Sequence, residues 1–176
     1  QSSEVIYHGA SVRVLCVEDS TGCVATPLTF FQAEEGLSTY LSDKYLQCFV
    51  LDEFLDRGFD VAVGSSEVEV EVNDYMVLVN LNLPVVLSKR DLEYNKQEFN
   101  VVVNYPLGEF IRVSNDVLNV IVNGDIFDPV LYATLSFGER DVRVSKPYPD
   151  TIYTVNLDSY PNYSFRFAEQ GVDEYV

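Results

Sequence analysis

The sequence predicts an α+β chain dominated by antiparallel β-structure, with one clear helix at about 37–57 and a second at about 107–122. Three observations lead there. Leu37, Leu41, Tyr45, Cys48, Leu51 and Leu55 recur at steps of three and four, which places them on one helical face. In Glu67–Val72 valines alternate strictly with glutamates, the period of a half-buried strand. Short β-prone runs punctuated by Gly, Pro and Asp fill the C-terminal third.

Taken in order, Glu4-Val5-Ile6-Tyr7-His8 is a short β-prone segment, and Gly9 separates it from a second strand-like run over Val12–Val17. Asp19-Ser20-Thr21-Gly22 reads as a turn. The first helix ends at Arg57-Gly58, a basic last turn followed by the residue that best tolerates a left-handed cap, while Thr29 or Ser38 caps its start. After the Glu/Val strand, Asn73-Asp74 turns into Tyr75–Leu81, and Glu98–Asn104 follows a polar turn at Ser88–Asp91. Leu107, Phe110, Ile111, Val117, Leu118 and Ile121 fit helical spacing, with Pro106 in the first turn and Asn123-Gly124 as the stop. Past Asp128-Pro129, strands are predicted at Leu131–Phe137, Asp141–Ser145, Ile152–Asn156 and Ser164–Phe167. The expected organisation is an N-terminal arm or donated strand at 1–10 and a single domain over 11–176.

Composition narrows the function. Eleven Lys+Arg against 28 Asp+Glu leave a net charge of −17, which repels phosphate backbones and anionic membranes, so nucleic acid is not an expected partner. The 47% hydrophobic content, with 12 Tyr and 11 Phe, supplies a core and separates the chain from disordered segments. No apolar run approaches the ~20 residues of a membrane helix, so no transmembrane segment is expected. The chain begins at Gln1 and its one Met is Met76, which fits removal of an upstream signal and an extracellular or cell-surface location.

Chemistry-bearing motifs are scarce. The sequence has no Gly-rich phosphate loop, G-x-S-x-G elbow or H-E-x-x-H pair, and His8 is its sole imidazole. The expectation is a non-enzyme without a cofactor. Calcium is the alternative, with oxygen ligands from Asp125 and Asp128 beside Asn123, although no complete calcium loop accompanies them. Glu67, Glu69 and Glu71 stand solvated on one strand face or share a cation. Cys16, Cys23 and Cys48 form an odd set without C-x-x-C spacing, consistent with one disulfide and a spare thiol or with three reduced thiols. Asn162-Tyr163-Ser164 is an N-glycosylation acceptor triplet ahead of a strand.

The acidic helix carrying Cys48, the segment Phe54-Leu55-Asp56-Arg57-Gly58-Phe59, the valine-alternating acidic strands, Asn82-Leu83-Pro84, Asn104-Tyr105-Pro106-Leu107, Ile152-Tyr153-Thr154-Val155 and Tyr163–Ala168 together resemble a family of exported surface ectodomains from small-genome archaea. The resemblance implies display outside the cell. It also implies a disulfide from Cys16 to Cys48 with Cys23 spare, against the competing hairpin bridge Cys16 to Cys23. Members of that family carry a hydrophobic N-terminal helix, which this sequence lacks. The leading expectation is therefore a structural subunit of an extracellular fibre or surface coat, its partners copies of itself or another cell-surface component. Val5, Ile6 and Tyr7 would be the strand donated to a neighbour. The alternatives are a monomeric adhesion module using Tyr148, Tyr153, Tyr160 and Tyr163, and an enzyme with an unfamiliar carboxylate site.

Overall fold

A computed structural model describes residues 4–20, 22–44 and 51–172. The described residues form ten strands and four helices in two mainly antiparallel sheets, an α+β, β-rich fold. The chain divides into two compact units: Gln1–Thr29 with Gly108–Val176, and Phe30–Leu107. The expected single domain thus becomes one unit interrupted in sequence by another. The chain passes between them at 29/30 and 107/108 without any Gly/Ser-rich tract, so composition gives no boundary signal.

In the first unit, β1 (Glu4–Tyr7) and β2 (Ala10–Asp19) form a hairpin whose two-residue loop has positive φ at both His8 (50°) and Gly9 (78°). That is the backbone requirement of the tight turn that follows strand twist. The expected arm is corrected here: Val5, Ile6 and Tyr7 pair with Val12, Ser11 and Ala10 of their own sheet. Val5 and Tyr7 pack on the cluster of Val12, Val14, Ile152 and Ala168, while Ile6 is 76% exposed. Alternating burial keeps two of the three apolar residues at home.

β2 also pairs antiparallel with β3 (Gly22–Ala25) and parallel with β10 (Ser164–Gln170), and β9 (Thr151–Leu157) and β8 (Arg140–Ser145) complete the sheet. Three C-terminal strand expectations stand. The fourth does not: Leu131–Phe137 lies largely in α4 (Pro129–Leu135), a helix. Asp128 accepts hydrogen bonds from the backbone N–H of Val130 and Leu131, and Pro129 occupies the first turn, so the dipeptide is a helix start. The other helix of this unit, α3 (Leu107–Val122), spans the predicted range. It stops where Gly124 (φ 78°) donates to Ile121 O and Asp125 N to Val120 O, a left-handed cap. Phe110, Ile111, Val113, Val117 and Leu118 of α3 are buried, and Phe110 stacks on Phe165 of β10 at 6.0 Å.

The second unit holds α1 (Phe30–Lys44), α2 (Asp52–Asp56) and the strands β4 (Asp60–Val63), β5 (Glu67–Val72), β6 (Val77–Lys89) and β7 (Leu92–Val103). The helix expected at 37–57 starts seven residues earlier, directly after Thr29, and Gly36 and Ser38 lie inside it. Residues 45–50 lie outside the described region, and α2 ends at Gly58 (φ 74°) as predicted. Phe30, Ala33, Glu34, Leu37, Ser38 and Leu41 are the half-buried positions of α1. Ser38 donates to Val68 O (2.5 Å), and Glu34 accepts from Val72 N (2.9 Å). The helix therefore covers the outer edge of β5, closing what would be an open row of backbone groups. β6 continues through Leu83-Pro84 by a register shift against β7 between Asn82 and Val85, the way a sheet accommodates proline.

Candidate functional site

The expected valine register holds: Val68 and Val72 are buried, Val70 is half-buried, and Glu67, Glu69 and Glu71 are exposed. Pairing across β5, β6 and β7 sets Glu67, Asn82 and Glu98 in one row, and Glu69, Asn80 and Asn100 in the next. These acid–amide rows line one shallow depression on the exposed sheet face.

The edge of that sheet is its other notable feature. β7 pairs with β6 from Leu92 to Val103, and of its twelve residues Phe99 is the one that is not exposed. Pairing parity tells which of its backbone groups face away from β6. Val68 O and Val72 N point to α1, so Val68 and Val72 turn their polar groups away from β6. Directly opposed antiparallel residues share their orientation, so Leu78, Asn80 and Asn82 serve β5, while Val77, Val79 and Leu81 serve Val103, Val101 and Phe99. The N–H and C=O groups of Glu98, Asn100 and Val102 therefore point outward from the sheet. The run Val101-Val102-Val103 is 55%, 58% and 45% exposed and carries no charge or proline.

The first unit gathers its titratable groups in two places. In one, Arg140 of β8 pairs with the buried Glu109 of α3 at 2.5 Å and lies 3.8 Å from Asp116. Tyr132 of α4 donates to Asp116 (3.0 Å), and burial together with the Asp116 carboxylate pushes the Tyr132 hydroxyl up to about 12. In the other, Glu18, Asp125, Lys146, Tyr153 and Glu169 line a cavity of about 240 Å³ walled by Ile121, Ile126, Phe127 and Val144. Tyr153 donates to Glu169 (2.8 Å), stacks on Phe167 at 5.0 Å and meets Phe127 edge-on at 6.2 Å. Burial, then the Glu169 carboxylate, pushes the Tyr153 hydroxyl far above its ordinary range. Burial also raises the Glu169 carboxyl, with Glu18 adding to the rise and the Tyr153 hydroxyl and Lys146 opposing it. Neither cluster carries a sequence motif, since each joins residues distant along the chain.

The remaining sequence-predicted residues fall as follows. Cys16 is bonded to Cys23, with Cα atoms 5.6 Å apart, which corrects the pairing with Cys48. The β2–β3 hairpin pairs Glu18 with Cys23 and Cys16 with Ala25, making the two cysteines diagonal neighbours on one face. Cys48 lies outside the described residues. Asn162 is exposed in the turn before β10, where Tyr163 N donates to Tyr160 O. The calcium grouping is not assembled: Asp128 caps α4, Asn123 donates to Asn119 O, and Asp125 faces the cavity of Glu18 and Glu169. Among the described residues no three His, Cys, Asp or Glu side chains are grouped to hold a metal ion. No helix among them is long and apolar enough to cross a membrane. Tyr148 and Tyr163 are exposed, whereas Tyr153 is buried in β9 rather than held on a loop. In comparisons with protein-family models, curated proteins and solved structures, no match to this chain is found.

Proposed function

We propose that this chain is a non-enzymatic structural subunit of an extracellular fibre or cell-surface coat, and that copies associate by pairing across the free edge of β7. The observation that carries the reading is that edge: twelve residues long, exposed nearly throughout, and ending in three uncharged valines. Sheet proteins ordinarily blunt such an edge with charge, proline, shortness or a covering element. β5, in the same sheet, is covered by α1. β7 carries its charges, Glu93, Lys96 and Glu98, in its first seven residues and leaves the valine end bare. An added strand gains backbone hydrogen bonds there without a preformed pocket. The resemblance to exported surface ectodomains and the acceptor triplet at Asn162 fit an extracellular setting. The exposed apolar residues around α4, Ile126 (93%), Val130 (76%), Leu135 (70%) and Phe137 (95%), favour a second reading, a monomeric adhesion module that binds another surface component.

The net charge of −17 makes association salt-dependent, because charge repulsion between copies is screened within about 8 Å at physiological ionic strength. The test is sedimentation and negative-stain microscopy of the wild type and of Val102→Pro at low and moderate salt. Proline at 102 removes one outward N–H and leaves the β6 ladder intact. Salt-promoted assemblies of the wild type, absent from a folded Val102→Pro, are expected. A wild type that stays monomeric at every salt concentration, or a variant that assembles as well as the wild type, overturns the reading.

A further inference from the structure

We infer that Glu169, set beside Glu18 in one cavity, acts as a proton-operated clasp between β2 and β10, with the proton on Glu169 fastening the two strands and its loss loosening them. The geometry begins with a bulge. β10 runs parallel to β2 with Phe167 opposite Arg13 and Ala168 opposite Val14, but Glu169 opposite Cys16, so Leu15 is the extra residue. A bulge re-aims the side chains beyond it, and here the shift brings Glu169 into register with Cys16, two residues before Glu18. Both residues line the same cavity.

Every charged or titratable group facing the pair bears on its proton. Tyr153 of β9 donates to Glu169 Oε2 (2.8 Å) and so satisfies one oxygen of the ionised form. Lys146, just past β8, favours the charged form, while Glu18 disfavours it. Asp125, after α3, brings a third carboxylate to the same cavity. Burial is the largest influence on Glu169 and acts with Glu18 to hold the proton on. One lysine and one tyrosine hydroxyl do not offset them. A half-buried carboxyl group with other carboxylates beside it holds its proton more readily than it bears a charge.

The consequence has a definite sign. Because Glu169 binds its proton more tightly in the folded chain than at the ordinary value of 4.5, the first unit is strengthened as pH falls toward that value. It loses that strength as pH rises from 4.5 through the folded-state midpoint. The group is a brake on stability at neutral pH, released by acid.

The experiment is a carbon-detected NMR titration of the Glu169 side-chain carboxyl in the full chain, in the wild type and in Glu18→Gln, with amide exchange of β10 followed in the same samples. Glutamine keeps the size and hydrogen-bonding reach of Glu18, which is exposed, and removes its charge. The wild-type midpoint is expected above 4.5 and moves down in Glu18→Gln. β10 protection should fall several-fold more steeply with rising pH in the wild type than in the variant. A wild-type midpoint at or below 4.5, a midpoint indifferent to Glu18→Gln, or parallel protection profiles in the two proteins overturns the clasp. A wild-type midpoint at or below 4.5 overturns the clasp even if the variant fails to fold.

Discussion

Replacing Arg140 by Met tests how much of the first unit depends on one buried acid. Glu109 lies in the first turn of α3 with 8% of its side chain exposed, and Arg140 meets it at 2.5 Å while keeping 33% of its own side chain in solvent. Removing one partner of a fully buried pair costs about 3–5 kcal/mol, because the other charge is stranded. Solvent access at Arg140 screens part of this and brings the expected cost to about 2–3 kcal/mol. Asp116→Asn removes the second acidic neighbour, which sits 3.8 Å from Arg140 and is half exposed. That change should cost under about 1 kcal/mol, since an exposed pair gains little over its hydration. Hydrogen exchange of the core amides of α3 and β8 reads the first unit alone. Protection should drop roughly 30- to 150-fold in Arg140→Met, at tenfold per 1.4 kcal/mol. Adding Glu109→Gln to Arg140→Met should recover most of the loss by removing the stranded charge. If Arg140→Met and Asp116→Asn lose protection equally, burial at Glu109 does not govern the pair and the reasoning is wrong.

Three other outcomes follow from the same structure. Val68→Asp, which buries an unpaired charge at 8% exposure, should destabilise the second unit by about 3 kcal/mol or more in urea denaturation, whereas Glu69→Lys should stay within about 0.5 kcal/mol; equal effects would reverse the strand's faces. Non-reducing peptide mapping should recover Cys16 joined to Cys23, and Cys23→Ser should lower stability by about 2.5 kcal/mol for a loop closed at a separation of seven residues; a Cys16–Cys48 peptide would refute the hairpin bridge. Tyr132 should ionise near 12 in an absorbance titration. The stability linked to it is complete below pH 10 and declines between 10 and about 12, and Asp116→Asn should bring the midpoint down; a midpoint at 10 would show the hydroxyl to be unburied.

How far the fold was legible depended on whether its signals were local. α3 announced itself through Pro106, an apolar face at helical spacing and the Asn123-Gly124 stop, and β5 through strict alternation. α4 escaped because two turns are too short to show a period, and Asp128-Pro129 suits a turn and a helix start equally. The first helix was expected from about 37, yet the Phe30–Glu35 stretch before Gly36 is helix-compatible, and contact with β5 outweighs one glycine. The strand expected over Tyr75–Leu81 runs on to Lys89, and a bulge carries β6 past Pro84. The Glu18–Glu169 site was illegible for another reason: its members come from opposite ends of the chain and meet through a parallel register that no spacing rule reveals. The Cys16–Cys23 bridge was visible as a local hairpin, and the pull of a resemblance hid it.

The β2–β10 ladder also sets an order of events. Residues 13–17 find their parallel partners at 167–170, so nearly the whole chain must exist before that ladder can close. The second unit, by contrast, is complete once residue 107 has been made, and β5, β6 and β7 follow one another through short hairpins. Low sequence separation favours fast closure, and distant pairing pays its loop entropy first. During synthesis at roughly 5–20 residues per second, the Phe30–Leu107 unit can mature while β2 waits, its Val12 and Val14 still uncovered. The hairpins with β1 and β3 give β2 temporary partners through that interval, so the local turns at His8-Gly9 and Gly22 act as chaperones built into the sequence.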